Sequence, residues 1–391
     1  MTKNEKIILT LILLLTLAAR LYYIYTSPLL KFTHDEIGYY EMVLRFFEKG
    51  YFGYYSLGSN AYITPGYPVF LMGVYLLADL LNSGLLITVR TIQVIISVGS
   101  VFLVYLIGRK SGGRPVATLA AVLAAIYPSS FMANNRILTE VLYIFLLLGY
   151  IYSVIIAFEK QGLARHALSG ALMGLAVLVR PAVAPFLAVP FLVQFIARRD
   201  LKILPGLLAA ILAFSVVMSP WWIRNYLAFD KFIVFATQTG DPVLRGTDPY
   251  DVYDRFGPSI IKNVPRSQRA NLAVERIKEG FKNDPVLWTK WFTVGKFSYM
   301  WFKPWGMLTG WSKALHFWVF VVIGWTGVFV NLFDRYLRWP ALMVIAITLL
   351  QLLFIPIERY IYPLTPVMAV MAAVIIVKIG QKILDTVYLN R

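Results

Sequence analysis

The chain has 391 residues, 59% hydrophobic and 15% charged, with a mean hydropathy of +0.68. A soluble domain carries about 25% charged residues, so this composition excludes an ordinary water-soluble fold and points to a polytopic helical membrane protein. The net charge of +17 then reads as Lys and Arg gathered in cytoplasmic loops, not as a nucleic-acid surface. The absence of cysteine removes disulfides, thiolate metal sites and Cys nucleophiles.

The first apolar run, Ile7 to Tyr25, is long enough to span and lacks an Ala-x-Ala-like cleavage site. It reads as a retained anchor, entered from the inside because Lys3 and Lys6 precede it. The segment from about Pro28 to Pro65 then lies outside and carries Asp35-Glu36, within His34-Asp-Glu-Ile-Gly-Tyr-Tyr40. Two adjacent acids beside a membrane are costly to desolvate. Thr33 or Asp35 can cap a helix there, with Glu36 in its first turn.

Gly66–Leu81 is apolar but short, opened by Pro65 and Pro68 and carrying Asp79, and reads as a re-entrant or surface-lying helix. The next spans are expected at about 87–107, 115–130, 137–157, 167–180, 182–197, 203–222, 314–333, 340–357 and 363–379. With Gly66–Leu81 not crossing, Arg109, Lys110, Arg114, Lys160, Arg165, Arg198, Arg199, Lys202, Arg335, Arg338, Lys378 and Lys382 all fall in inner loops. If it crossed, they would all flip outward, so charge favours ten spans with both termini inside.

The organisation is then an N-terminal transmembrane module, residues 1–222, with an outer loop at about 27–66 and a juxtamembrane helix at about 66–82. Residues 223–313 form an outer-face loop with one helix near Arg266–Phe281 and an aromatic interfacial helix at Pro285–Phe302, and 314–391 form C-terminal transmembrane helices.

Five arginines break the charge rule by falling at the outer level: Arg90, Arg136, Arg180, Arg224 and Arg359. Any one reads as an interfacial side chain reaching out of the bilayer. Together, on five crossings beside Asp35-Glu36, they suggest a shared anionic partner. Arg suits bidentate phosphate recognition, and the apolar surroundings suggest a lipid phosphate. Glu140 and Glu358 are expected to pair with Arg136 and Arg359. His34 reads as a hydrogen-bonding neighbour. With three His and no His-Glu-x-x-His, zinc is not expected, and no nucleotide-binding signature is present.

The residues match a known pattern in Asp35-Glu36-x-x-Tyr39, Thr64-Pro-Gly-Tyr-Pro68, Arg136 with Glu140, Gly174-Leu-Ala-Val-Leu-Val-Arg-Pro181, Pro220-Trp-Trp-Ile-Arg-Asn-Tyr226 and Arg359-Tyr-Ile-Tyr-Pro-Leu-Thr-Pro366. In these the chain resembles GT-C fold membrane glycosyltransferases of the family-39 type, the protein-O-mannosyltransferase and aminoarabinose-transferase-like group. It lacks a large C-terminal outer domain. The resemblance implies an all-α polytopic fold in the cytoplasmic (plasma) membrane, with the active site on the outer face. It implies a polyprenyl-phosphate sugar donor and a lipid, glycan or protein acceptor, with no nucleic acid.

Asp35 matches the family's catalytic carboxylate, a general base for an inverting attack by an acceptor hydroxyl. Glu36 would orient Asp35, bind acceptor hydroxyls or help hold a divalent cation, Mg or Mn. Arg136, Arg180 and Arg359, then Arg90 and Arg224, would bind the donor phosphate and stabilise its leaving charge. His34, Tyr39, Glu140, Asn225, Glu358 and Tyr360 are expected to contact substrate. A transporter or flippase of a lipid-linked sugar is the competing class, and predicts charges deep in mid-span and two related halves. A non-catalytic scaffold leaves the five arginines unexplained.

Overall fold

The computed structural model describes residues 2–28, 31–238, 240–251, 261, 264–265, 268–306 and 310–389. Among them the regular structure is helical, with no strand. Helix α1, Lys3–Thr26, opens with a capping box in which Thr2 and Glu5 exchange hydrogen bonds. α2 is the helix His34–Lys49, closed by Gly50 in the left-handed conformation. α3, Gly66–Leu80, packs on α4, Leu85–Ile126.

The 42 residues of α4 are two antiparallel arms. At the turn, Gly113 has φ +65° and ψ −153°, a region open essentially to glycine. A Cβ on Gly108 would lie 3.2 Å from Ala117 Cα, which a continuous helix forbids. The short α5, Pro128–Asn134, then leads to α6, Glu140–Lys160, and α7, Leu163–Val179. After a 3-10 turn at Pro181–Leu187 come α8, Val189–Arg198, and α9, Leu204–Phe229.

Six helices are long and apolar enough to cross a membrane: Lys3–Thr26, Leu85–Ile126, Glu140–Lys160, Leu201–Phe229, Trp311–Phe333 and Glu358–Val387. Shorter apolar helices lie at Gly66–Leu80, Leu163–Val179, Pro181–Ala197 and Arg338–Gln351. Counting the arms of α4 separately and setting Gly66–Leu80 aside recovers ten spans among the described residues. The expected third span stops four residues early, because Pro128 starts the separate helix α5. One core cluster runs from Leu9 to Val374.

The ends of the bundle are fixed by ion pairs. Arg109 meets Glu5 at 3.3 Å and Lys110 pairs with Glu159 at one end. Segments 158–166, 194–206 and 335–339 line two adjoining cavities beside that end. The outer-level residues gather at the other end.

Two expectations for residues 223–313 change. The helix near Arg266–Phe281 is Arg269–Asn283; residues 252–260 lie outside the described set. The aromatic segment Pro285–Trp301 is helical through a wider π turn and buries one face, while Val286, Leu287 and Val294 on the other stay exposed. Trp291, Trp301 and Lys296 are fully buried. Lys296 Nζ donates to the Leu352 carbonyl at 2.8 Å and sits 3.7 Å over the Phe292 ring. The alternation of aromatics with lysine that signals a membrane belt serves internal packing here.

Candidate active site

The site begins with the cap of α2. Thr33 is extended, and its N–H and Oγ1 both donate to Glu36 Oε2, at 2.8 and 2.9 Å. The same oxygen accepts from Arg136 Nη1 at 2.8 Å, while Glu36 Oε1 accepts from the Ile137 N–H at 3.1 Å. Four donors therefore occupy a carboxylate that is 1% exposed. Arg136 Nη1 also donates to the Lys31 carbonyl at 2.9 Å, tying the start of the outer loop to the turn between α5 and α6.

That turn is held from below. Gln93 Nε2 donates to the Arg136 carbonyl at 2.8 Å, and Tyr67 donates to Gln93 Oε1 at 3.2 Å. Tyr67 belongs to the Thr64-Pro-Gly-Tyr-Pro68 motif. A Cβ on Gly66 would fall 2.6 Å from the Leu178 carbonyl, so glycine is required for α3 to meet the end of α7.

A second carboxylate, Glu140, is the first residue of α6 and is buried. Its Oε1 accepts from both Arg180 and Arg359. Arg180 is extended (φ −144°, ψ 111°), as a residue before proline prefers, and its Nε donates to Thr139 Oγ1 at 2.8 Å. Glu140 Oε2 has no hydrogen-bond partner. The expected pairs are thereby corrected. Arg136 pairs with Glu36 instead of Glu140, and Arg359 pairs with Glu140 and Asp35 instead of Glu358. Helix geometry explains the exchange: Arg136 precedes the turn while Glu140 heads a new helix, facing a different neighbour.

Arg359 links the two layers. Its Nη1 meets Asp35 Oδ2 at 2.5 Å while its Nε is on Glu140. Asp35 remains 41% exposed. Its Oδ1 accepts from the Tyr54 hydroxyl at 3.5 Å. Burial, and after it the Asp35 charge, push the Tyr39 and Tyr54 hydroxyls above the ordinary tyrosine value, so both stay protonated. Three carboxylates thus face Arg136, Arg180 and Arg359. Arg90, buried in α4 with its Nε unpartnered, lies within electrostatic range of Glu36 and Arg136 and makes a fourth cation.

Asp35 opens onto a cleft of about 670 Å³. Its lining mixes polar residues, among them His34, Asp35, Arg136, Glu358 and Arg359, with the apolar Tyr23, Met132, Leu138, Pro304 and Trp305. His34 packs its ring against Tyr55 at 4.3 Å. Tyr360 and Arg180 line a separate cavity of about 30 Å³ behind the arginine cluster. Tyr39 is wedged between the rings of Tyr54 and Tyr67.

Arg224 and Asn225 do not join the site. Arg224 donates to the carbonyls of Asn60 and Phe52, at 3.0 and 3.2 Å, and to Asn225 Oδ1 at 2.9 Å. It is enclosed by the rings of Phe52, Trp221 and Phe229. These contacts make it a clasp on the loop after α2. Tyr54, Thr139, Tyr23 and Trp305 were not singled out from the sequence; nothing local marks them, because long-range folding brings them in. Arg20 carried a legible signal, a cation six residues before the end of a span. It is buried, donating to the Ala124 and Ala125 carbonyls at 3.1 and 3.3 Å.

Metal ligation was tested on the donors present. Among the described residues no three His, Asp or Glu side chains converge on one point. Glu36 is saturated, and Asp35 and Glu140 are each neutralised by guanidinium groups. This donor set does not fit a divalent cation.

Comparison with known proteins bears on the fold. Residues 65–223, less than half of the chain, match the family model of dolichyl-phosphate-mannose-protein mannosyltransferase. No curated protein sequence matches. Among solved structures, the archaeal oligosaccharyltransferase AglB from Archaeoglobus fulgidus, in complex with an inhibitory peptide and a dolichol-phosphate, is 18% identical with a TM-score of 0.61. The alignment covers 99% of this chain and 51% of that one. ArnT from Cupriavidus metallidurans, bound to undecaprenyl phosphate, is 13% identical with a TM-score of 0.59, covering 96% of this chain and 60% of that one. The A. fulgidus enzyme in complex with Zn and sulfate is 17% identical with a TM-score of 0.59, covering 96% and 49%. The chain thus spans about half the length of the oligosaccharyltransferase it matches. It is a multi-pass membrane protein with the GT-C fold.

Proposed function

We propose that the chain is a membrane glycosyltransferase that moves a sugar from a polyprenyl-phosphate donor to an acceptor hydroxyl at the outer face of the membrane. The observation that carries this reading is the half-exposed Asp35 carboxylate, held by Arg359 in a cleft lined by both polar and apolar residues. The lipid phosphates bound to two structural neighbours support the donor class.

Arg359 gives the site a way to order its steps. Its Nη1 is on Asp35 and its Nε on Glu140. A donor phosphate binding Nη1 displaces the Asp35 carboxylate and leaves it free. Asp35 then accepts the proton of the acceptor hydroxyl as that oxygen attacks the anomeric carbon. The bond from that carbon to the phosphate oxygen breaks on the opposite side, inverting the centre. The electron pair leaves with the phosphate, and Arg359 and Arg136 stabilise its growing charge. Arg180 acts through Glu140, which fixes Arg359. Glu36 is a positioning residue, its oxygens already committed, and no step runs through a metal.

The test is sugar transfer by the reconstituted protein from polyprenyl-phosphate sugars, with products read by mass spectrometry. Asp35→Asn is expected to lose about 10²–10⁴ in turnover, the usual worth of a general base, without loss of donor affinity, since the phosphate no longer competes with Asp35 for Arg359. Near-parental turnover in this variant at equal expression would reject Asp35 as the base.

A further inference from the structure

A second pair of cavities adjoins the opposite end of the bundle. One, of about 410 Å³, is lined by Glu159, Gln194, Arg335, Tyr336, Arg338 and Trp339 among others. The other, of about 390 Å³, includes His166, Asp200 and Lys202. Phe158 and Gln194 line both, so they form one groove. Phe158 is eighteen residues along α6 from Glu140, which puts the groove about 27 Å from the arginine cluster at 1.5 Å per residue. That is close to the thickness of a bilayer's hydrocarbon core.

Among the described residues the two arginines in this groove, Arg335 and Arg338, form no ion pair. Arg335 lies over the Tyr336 ring, and Arg338 donates through Nε to the Asp334 carbonyl at 3.3 Å. The nearby acids are occupied: Glu159 pairs with Lys110, Asp334 Oδ1 accepts the Tyr336 and Leu337 N–H groups, and Asp200 Oδ1 accepts the Lys202 N–H. A separate sign of a ligand is His166, 4% exposed and lining the groove, whose Nδ1 has no partner.

The floor is aromatic, with Phe158 stacked on Trp339 at 5.8 Å. Leu163, Leu192 and Ile196, on α7 and α8 beside the groove, are exposed. Unpaired guanidiniums over an aromatic floor, flanked by bare apolar helix faces at bilayer depth, match a phospholipid and not a soluble polyanion.

We propose that this groove binds one anionic glycerophospholipid. Its phosphate sits on Arg335 and Arg338, Lys202 adds field from the adjoining cavity, and its chains lie along α7 and α8. The full-length protein in phosphatidylcholine nanodiscs doped with phosphatidylglycerol, examined by native mass spectrometry, should retain one phosphatidylglycerol per chain. Arg335→Gln/Arg338→Gln should weaken retention about 30-fold, the effect of two basic residues at a membrane surface. Lys202→Gln should weaken it about fivefold. Lys378→Gln/Lys382→Gln, which removes equal charge from exposed positions that line neither cavity, should leave it unchanged. Equal loss in that control would reduce the effect to general surface charge and overturn the site. Displacement by inorganic phosphate would make the ligand a free anion, and no preference over phosphatidylcholine would leave no site; either result rejects the proposal.

Discussion

At position 35 the carboxylate is half exposed beside Arg359, and at position 36 it is buried under four donors. Consecutive helical residues point about 100° apart, so the start of α2 turns one acid to the cleft and the other into the turn before α6. A helix cap at Thr33 or Asp35, with Glu36 in the first turn, was legible in the sequence, because caps are local chemistry. The Arg136 partnership was not, because it closes across 100 residues. Glu36→Gln keeps an acceptor but faces an amide group toward four donors and leaves Arg136 without its counter-charge. We expect it to lower stability by about 1–3 kcal/mol, below the full cost of breaking a buried pair because Arg136 is partly exposed. Asp35→Asn should cost no more than about 1 kcal/mol, the range of a solvent-exposed ion pair, since Arg359 keeps Glu140. Thermal melts in detergent decide this, and a Glu36→Gln melt matching the parent would remove Glu36 as the structural hub.

At the scale of elements, hydropathy marked the spans well because lipid demands long apolar helices, but it did not mark how closely they approach. α7 and α9 meet through Gly170, where a Cβ would lie 1.9 Å from the Ala210 carbonyl oxygen. Small residues allow such contacts between membrane helices. Gly170→Val is expected to push the pair apart and cost about 1–3 kcal/mol, the range for overpacking, read as a lower melting temperature with retained helical circular dichroism. The segment Pro285–Trp301 shows the converse limit, since its residue types fit a membrane belt and a buried core equally well.

The buried Lys296 makes that second case measurable. Burial pushes its amine down from the ordinary 10.5 to about 7. Between pH 7 and 10.5 the unfolded chain holds a proton that the folded chain has released, so stability rises with pH across that window and is flat below it. The parent melting temperature should climb from pH 7 to about pH 9.5 more steeply than that of Lys296→Met, which keeps the volume and removes the titration. Parallel slopes would place the lysine in contact with water.

For the whole molecule, loop charge carried more than any motif. Arg109, Lys110, Arg165, Lys202, Arg335 and Arg338 were assigned to one side by alternation alone. The fold brings Lys110 to Glu159, and the segments around Arg165, Lys202 and Arg338 to adjoining cavities. Asp35 and Arg359 meet at the far end across 324 residues. Sequence patterning supports such an assembly only as a level in the membrane, since which arginine faces which carboxylate depends on rotations about each helix. The reading that the Asp35 end faces outward has a direct test, because the chain contains no cysteine. Gly58 is exposed in the loop after α2 with nothing within 4 Å of an added Cβ, and Ala164 is exposed at the start of α7. Gly58→Cys should react with a membrane-impermeant maleimide in intact cells, and Ala164→Cys only after permeabilisation. Labelling of Ala164→Cys from outside, with Gly58→Cys protected, would invert the protein in the membrane. It would move the cleft to the cytoplasmic face and put the groove of Arg335 and Arg338 in the outer leaflet.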